Sequence, residues 1–335
     1  MGGVTVNRMH MLSLLLFILA SRIAAQPAPA PVLVSVARIW DGGAHNAFTD
    51  LIRWRNRWYC SFREGDAHVG GDGRIRVLVS ADGETWTSAA LVGETGIDLR
   101  DPKLSITPDD RLMMVAGGSV YEGTRYLGRQ PRVLFSPDGS TWTVPQRILA
   151  EGDWLWRVTW HEGRAYGVTY KTAADAPAEW TATLVSSADG RTFDRVATLA
   201  VPDRPNETTL RFMPDGEMVA LVRREAGNRL AWLGRSRAPY TTWTWRETPH
   251  QIGGPNFIRL PDGALWASGR SYPGGPKTAV GRLTLDGGYD PALTLPSGGD
   301  TSYAGMVWHD GVLWVSYYAS HEGKTAIYVA RVTVR

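Results

Sequence analysis

The stretch SADGETW, from Ser80 to Trp86, is the first copy of a turn that this chain repeats. It returns as SPDGSTW from Ser136 to Trp142 and as SADGRTF from Ser187 to Phe193, and a degenerate copy, SRAPYTTW, runs from Ser236 to Trp243. Successive copies begin 56, 51 and 49 residues apart, a spacing typical of propeller blades. In such a turn the aspartate accepts hydrogen bonds from the local backbone, the glycine adopts a positive φ and the aromatic residue packs between sheets. We therefore interpret the repeat as scaffold.

A second repeat interleaves with the first. Each unit consists of a polar hairpin turn followed by an aromatic or aliphatic strand: RNRWYCSFRE, DDRLMMVAGG, HEGRAYGVTY, PDGEMVALVRR, PDGALWASGR and HDGVLWVSYY. Such runs, bounded by Gly, Asp and Pro and without a helical period, indicate an all-β protein. Six units predict a six-bladed β-propeller of four-stranded antiparallel blades, which begin near Asn46, Arg100, Trp154, Glu207, Asn256 and Ser302.

The ends of the chain predict how the ring closes. The strand around Val32 to Ile39 is expected to pair with the C-terminal IYVARVTV, which leaves no long exposed sheet edge. Residues 1–25 have the pattern of a secretory signal peptide, since a charged start precedes MLSLLLFILA, an apolar run too short for a membrane span. We expect a linker over 26–31 and a single propeller domain over 32–335, monomeric, and secreted or periplasmic.

Composition excludes several classes of function. The net charge is only +3, and the arginines are scattered without lysine-rich runs, so a nucleic acid partner is not expected. Cys60 is the one cysteine, which rules out an internal disulfide and a cysteine-based metal site. The histidines show no HExxH or other paired spacing. We therefore expect neither a metal nor another cofactor, and no membrane-spanning segment after the signal peptide.

The hairpin repeat also predicts which side chains meet at one face of the ring. Loops that enter the innermost strands, and loops that join the second strand to the third, share the face opposite the repeated turns. Counting eight residues from each hairpin turn selects Gly118, Tyr170, Arg223, Arg270 and Tyr318, with Arg63 or Glu64 in the first blade. Converging guanidinium groups bind a carboxylate in bidentate fashion. The expected ligand is an anion.

The same hairpin geometry locates a glutamate and a tyrosine. With its turn at Asp215, the fourth hairpin places Glu207 beside Arg223, and the last hairpin places Tyr303 opposite Tyr318. Glu207 and Tyr303 are therefore expected in neighbouring positions at the mouth of the propeller. A glutamate base next to a tyrosine is a candidate reactive pair.

The S-x-D-G-x-T-W turn resembles the Asp-box of sialidases and related propellers, over essentially the whole mature chain. The layouts around Glu207 with Arg223 and around Tyr303 also resemble sialidase stretches, with Arg270 in the place of another arginine of their triad. The resemblance implies hydrolysis of a terminal sialic-acid-type sugar. Because that sugar carries a carboxylate at its anomeric carbon, a neutral phenol activated by a base is a better nucleophile than a carboxylate. Tyr303 would then be the nucleophile and Glu207 the base.

The resemblance implies a general acid on the loop that leaves the second strand of the first blade. That loop reads FREGDAHVGGDG and offers Asp66 and Asp72, of which Asp66 is favoured. One feature departs from the family: its F/Y-R-I-P segment corresponds here to HNAFTDL, which contains no arginine. Either Arg63 or Arg157 substitutes, or the substrate is not an ordinary sialoside.

Two alternatives stay open. The motif Arg100-Asp101-Pro102, together with Asp50 and Glu207, resembles the carboxylate set of five-bladed furanosidases, in which one carboxylate attacks or activates water and another protonates the leaving group. The other alternative is a propeller that binds carbohydrate without turnover. In that case Glu207 and Tyr303 could be replaced without any chemical consequence for the glycan.

Overall fold

The computed structural model describes residues 1–3, 30–71, 73–172 and 180–334, and within them every regular element is a strand. Twenty-four strands form six four-stranded sheets, each built from antiparallel neighbours. The prediction of an all-β, six-bladed propeller is confirmed. The predicted signal peptide falls almost entirely outside the described residues and remains a prediction. The described residues contain no helix capable of spanning a membrane.

The strands of each blade follow one another in sequence from the axis outward, except in the blade that closes the ring. Their bounds, blade by blade, are β2 (His45–Trp54), β3 (Arg57–Gly65), β4 (Arg74–Ser80) and β5 (Thr87–Val92); β6 (Asp98–Ile106), β7 (Leu112–Glu122), β8 (Arg125–Ser136) and β9 (Gln146–Arg147); β10 (Asp153–His161), β11 (Arg164–Lys171), β12 (Thr181–Ser187) and β13 (Asp194–Thr198); β14 (Pro205–Phe212), β15 (Met218–Arg224), β16 (Trp232–Ser236) and β17 (Thr244–Glu247); β18 (Gly253–Arg259), β19 (Leu265–Ser271), β20 (Lys277–Leu283) and β21 (Tyr289–Thr294); and β22 (Thr301–His309), β23 (Val312–Ala319), β24 (Ala326–Thr333) and β1 (Val32–Trp40).

The ring closes in the sixth blade, whose outermost strand comes from the start of the propeller. β1 pairs with β24 in antiparallel register, with Val32 opposite Thr333 and Val36 opposite Ala330. The predicted pairing of these two segments is confirmed. Closure joins the first and last blades, where the rings of Trp58 and Trp314 pack with their centroids 4.3 Å apart. Apolar contacts of this kind between blades form most of the core.

The repeated turns are held by their own side chains. Asp82 accepts hydrogen bonds from the backbone N–H groups of Glu84 (2.8 Å) and Thr85 (2.9 Å), and Ser80 accepts one from Gly83 (2.8 Å). Gly83 has a φ of 78°, and a Cβ atom there would lie 2.6 Å from the ring of Trp314 in the sixth blade. The turn therefore requires glycine both for its backbone conformation and for blade packing.

Asp82→Ala should lower the midpoint of denaturant-induced unfolding at neutral pH, because two backbone N–H groups lose their acceptor. Hydrogen bonds from Thr85, Glu84 and Ser80 lower the pKa of Asp82 to about 2, compared with about 3.9 for an unfolded aspartate. Such a carboxyl stabilises the fold above its unfolded pKa, and this contribution is lost as the pH falls towards its folded pKa. The difference in unfolding midpoint between variant and wild type should therefore shrink between about pH 5 and about pH 3.

Asp194→Ala is the matched control, since Asp194 is exposed and its carboxylate has no hydrogen-bond partner among the described residues. Unfolding midpoints at pH 7 measure both variants under the same conditions. An equal, negligible change in the two variants would contradict the structural role of the turn.

Candidate functional site

Each innermost strand contains a β-bulge near its entry, where two residues face one residue of the neighbouring strand. The bulge pairs are Phe48–Thr49, Asp101–Pro102, Trp156–Arg157, Asn206–Glu207, Gly254–Pro255 and Tyr303–Ala304. Bulges re-aim side chains and recur next to active sites. The φ angles of Phe48, Asp101 and Tyr303 are 66°, 50° and 54°, which strains the backbone by about 1–3 kcal/mol per residue. Three of the six bulges therefore contain a strained non-glycine residue.

Tyr303 and Glu207 meet across two of these bulges. The Tyr303 hydroxyl donates to Glu207 Oε1 at 2.7 Å, and Arg223 Nη1 donates to both Glu207 oxygens at 3.0 and 2.9 Å and to the Tyr303 hydroxyl at 3.1 Å. The hairpin turns predicted Glu207 beside Arg223 and Tyr303 opposite Tyr318. In the structure Ser302 is opposite Tyr318, and Tyr303 lies in the bulge, where it joins Glu207 and Arg223 in one hydrogen-bonded cluster. Arg223 also forms an ion pair with Glu225.

The environment of Tyr303 keeps its phenol protonated. Burial, followed by the negative charge of Glu207, raises its pKa well above the ordinary value of 10.0, and Arg223 and Arg270 offset only part of this rise. The rings of Trp156 and Phe48 contact Tyr303 with centroid separations of 5.2 and 5.3 Å. The phenol is thus a neutral donor whose proton already points to a carboxylate.

Arg270 and Tyr318 lie next to the Tyr303 ring. The Arg270 guanidinium carbon is 5.4 Å from the centre of the Tyr303 ring, and its Nη2 atom donates to the Tyr318 hydroxyl at 3.0 Å. Asp300 Oδ1 accepts from Tyr318 at 2.8 Å and lies 3.4 Å from Arg270 Nη2. Both predicted residues are therefore at the site, and Arg270 already has a carboxylate partner.

Asp101 contributes a second carboxyl group at the axis. It exposes 9% of its surface, and its buried Oδ1 has no hydrogen-bond partner among the described residues. Burial raises its pKa, Lys103 and Arg100 partly oppose this effect, and the charge of Glu207 adds to it. Asp101 and Glu207 consequently lie within electrostatic range of each other.

Several other predicted residues are engaged in ion pairs. Both Asp50 oxygens accept from Arg157 Nη1, at 2.9 and 2.8 Å, and one of them also accepts the backbone N–H of Leu104. Arg63 is fully buried, and its Nε donates to Asp98 at 2.6 Å. Arg63 and Arg157 were the two arginines expected to replace the missing member of the triad. Each of them already has a carboxylate partner within the protein.

Only part of the loop predicted to carry the general acid contacts the candidate site. Asp66 is exposed and lines a surface groove with Gly43, Ala44 and Arg74. Among the described residues it makes no hydrogen bond or ion pair with the Tyr303 cluster, while Asp72 lies outside the described residues. The next part of the loop returns to the site, where Arg100 Nη1 donates to the His68 carbonyl oxygen at 2.7 Å.

Lys103, which the sequence did not suggest, is buried near Tyr303. Its Nζ donates to the Thr49 carbonyl oxygen at 2.9 Å and lies 4.5 and 5.9 Å from the ring centres of Trp156 and Tyr303. Burial, reinforced by Arg157, lowers its pKa to about 8. No signal in the sequence marked it, because β6 also contains Asp98, Arg100 and Asp101 and the lysine does not stand out among them.

Gly254→Ala should reduce the thermal unfolding midpoint more than Gly123→Ala. Both glycines have positive φ angles, 56° and 60°, so alanine strains the backbone at each position. Only at Gly254 would the new Cβ collide with a neighbour, at 2.9 Å from the Tyr303 ring, whereas no atom lies within 4 Å at Gly123. Thermal denaturation followed by circular dichroism measures the difference. Equal unfolding temperatures would contradict the close contact between the fifth and sixth bulges.

No protein-family model matches the sequence, and comparison with curated proteins gives no match. Solved structures do resemble the chain. A protein of unknown function from Dyadobacter fermentans aligns with a TM-score of 0.78 at 23% identity, over 92% of this chain and 100% of that one.

Two enzymes resemble the chain at lower identity. The α-L-arabinofuranosidase of Fusarium graminearum, in a variant bound to an iminosugar inhibitor, gives a TM-score of 0.70 at 13% identity, over 90% of this chain and 98% of that one. Trypanosoma rangeli sialidase with the inhibitor DANA gives 0.67 at 11% identity and 91% coverage of this chain, which spans 60% of the sialidase. The chain therefore shares its six-bladed propeller fold with sialidases and arabinofuranosidases.

Proposed function

We propose that this protein is a retaining exo-glycoside hydrolase that removes a terminal sugar from a glycan. The observation that carries the proposal is the 2.7 Å hydrogen bond from the Tyr303 hydroxyl to Glu207, held by Arg223 at the propeller axis. Glycosidases among the proteins that share the fold support the same class of reaction. Its predicted signal peptide would take it out of the cytoplasm, to where glycans are exposed.

The geometry suits a two-step displacement. In the first step the Tyr303 oxygen attacks the anomeric carbon while Glu207 takes the phenolic proton, and a general acid protonates the departing oxygen. In the second step the same acid, now a base, activates water, which releases the sugar, and Glu207 returns the proton to Tyr303. Because burial raises the pKa of Tyr303, proton transfer has to accompany attack and no free tyrosinate forms beforehand.

The first candidate substrate is an acidic sugar of the sialic acid type. A neutral nucleophile avoids repulsion from a carboxylate on the anomeric carbon. Arg223 and Arg270 provide guanidinium groups at the hydroxyl and at the ring of Tyr303, respectively. This pairing of residues is the one that the resemblance to sialidases implied. A substrate carboxylate would bind Arg270 in competition with Asp300.

A neutral furanoside is the second candidate, and the charge balance of the site favours it. Arg223 is paired with Glu207 and Glu225, and Arg270 is paired with Asp300. In this case Glu207 would attack directly and Asp101, whose pKa is raised by burial, would protonate the leaving group. Asp50, the third member of the predicted set, would serve only as the partner of Arg157.

Hydrolysis of an aryl sialoside and an aryl arabinofuranoside by Tyr303→Phe and Glu207→Gln tests the proposal. If Tyr303 is the nucleophile, Tyr303→Phe should abolish sialoside turnover, and Glu207→Gln should lower kcat by about 10²- to 10⁴-fold, the usual effect of losing a general base. If Glu207 is the nucleophile, Glu207→Gln should be inactive on the furanoside and Tyr303→Phe should keep partial activity.

Tyr317→Phe is the control for these variants, because it also removes a buried hydroxyl hydrogen bond, to the Pro296 carbonyl oxygen at 2.9 Å, away from the reactive pair. Its kcat should stay close to that of the wild type. Failure of the folded wild type to cleave either glycoside, combined with saturable glycan binding, would replace the proposal with a binding propeller.

The general acid can be identified by varying the leaving group. Asp66→Asn should hydrolyse a nitrophenyl glycoside almost normally but lose about 10²- to 10⁴-fold in kcat on an alkyl glycoside, because only the poor leaving group needs protonation. Asp101→Asn is the matched variant, since it removes the buried carboxyl group near Glu207. If Asp101→Asn shows this pattern and Asp66→Asn does not, the acid is Asp101 and the predicted role of Asp66 is wrong.

A further inference from the structure

Three potential metal ligands converge beside the site, at the junction of the first and last blades. His45 begins β2, His68 lies in the loop after β3, and Asp300 directly precedes β22. One ligand atom from each residue lies within 4.8 Å of the other two. The sequence separations are too large for any spacing motif, which explains why the sequence showed no metal signature.

His45 has no satisfactory partner for either ring nitrogen. The residue exposes 9% of its surface, and its Nδ1 has no hydrogen-bond partner among the described residues. Its Nε2 is directed at Asp300 Oδ2, 3.4 Å away, which is longer than a normal N–H···O hydrogen bond. The same oxygen lies 2.7 Å from His68 Nδ1. One carboxylate oxygen is thus shared by two imidazoles, and only one of them is hydrogen-bonded to it.

These separations are compatible with coordination of a common ion. Zn²⁺ binds histidine nitrogen and carboxylate oxygen at about 2.0–2.2 Å in tetrahedral geometry, so neighbouring ligand atoms lie roughly 3.3 Å apart. The distance of 3.4 Å between His45 and Asp300 already matches. His68 Nδ1 would need to move about half an ångström away from Asp300 Oδ2 to reach the tetrahedral separation from that oxygen, and its side chain is 50% exposed.

Contacts of its second carboxylate oxygen, Oδ1, hold Asp300 in position. Oδ1 accepts a hydrogen bond from the Tyr318 hydroxyl at 2.8 Å and lies 3.4 Å from Arg270. Oδ2 is directed at the two imidazoles. Ligating carboxylates in metal sites are commonly oriented by hydrogen bonds of this kind.

We propose that His45, His68 and Asp300 bind a divalent transition-metal ion, for which Zn²⁺ is the best match. Two imidazole nitrogens select against Ca²⁺ and Mg²⁺, which prefer oxygen ligands. Three protein ligands leave a fourth position for water or for a polar group of a bound molecule. The ion would link the first blade to the last at the closure of the ring.

Isothermal titration of tag-free, EDTA-dialysed protein with ZnSO₄ tests this proposal without requiring any turnover. We expect one saturable site per chain, an increase in the thermal unfolding midpoint with added Zn²⁺, and no binding of Ca²⁺ at the same concentration. Mutation of residues that only orient the ligands typically weakens metal affinity by about 10- to 100-fold. Because His45→Ala and His68→Ala each remove a ligand, each should weaken the affinity for Zn²⁺ by more than that.

His309→Ala is the matched control, because His309 Nε2 lies 3.1 Å from Asp310 Oδ2 but belongs to no three-residue group among the described residues. It should bind Zn²⁺ like the wild type. Circular dichroism establishes that each variant is folded. Because the side chain of His68 is half-exposed, His68→Ala should not disturb the core. Absence of saturable Zn²⁺ binding, or wild-type affinity in His68→Ala, would overturn the proposal.

Discussion

Six β-bulges surround one axis, and two of them bring together Glu207 and Tyr303, the pair proposed to react. Glu207 and Tyr303 are 96 residues apart and belong to different blades, yet each lies in the bulge of an innermost strand, and their side chains form a 2.7 Å hydrogen bond. A regular strand would alternate its side chains between its two faces. The bulge breaks that alternation and directs an additional residue to the axis. The strained φ angles there are tolerated because the surrounding blades over-determine the backbone.

Several ion pairs lie in the polar interior of the ring. Arg63 is paired with Asp98, Arg157 with Asp50, and Arg223 with Glu207. Removing both charges of such a pair from water offsets much of their attraction, so the pairs contribute more to position than to net stability. An unpaired partner would be costly, which makes each pair a constraint on the geometry of the site. Two of the three pairs, Arg63–Asp98 and Arg157–Asp50, join different blades, so ion pairs as well as apolar packing hold the blades around the site.

Hairpin counting could predict Glu207, Arg223, Arg270 and Tyr318 because turns fix the register of antiparallel strands. It could not reveal the bulges, since an additional residue in one strand leaves no compositional trace. Asp50 was selected instead by its resemblance to the furanosidase set, and in the structure it directly follows the bulge and pairs with Arg157. Asp300 was missed for another reason: it precedes its strand, and only the closed ring brings it to His45 and His68.

Under the proposed function, a preference for charged or neutral sugars would be decided at Arg270. Its guanidinium lies 5.4 Å from the Tyr303 ring, where a carboxylate on the anomeric carbon of a substrate would need it, but Asp300 already provides a carboxylate. An acidic sugar therefore gains only the difference between its own interaction and that of Asp300. Because Asp300 also faces two imidazoles, any cation held there would weaken its hold on Arg270 and shift the balance towards an acidic ligand.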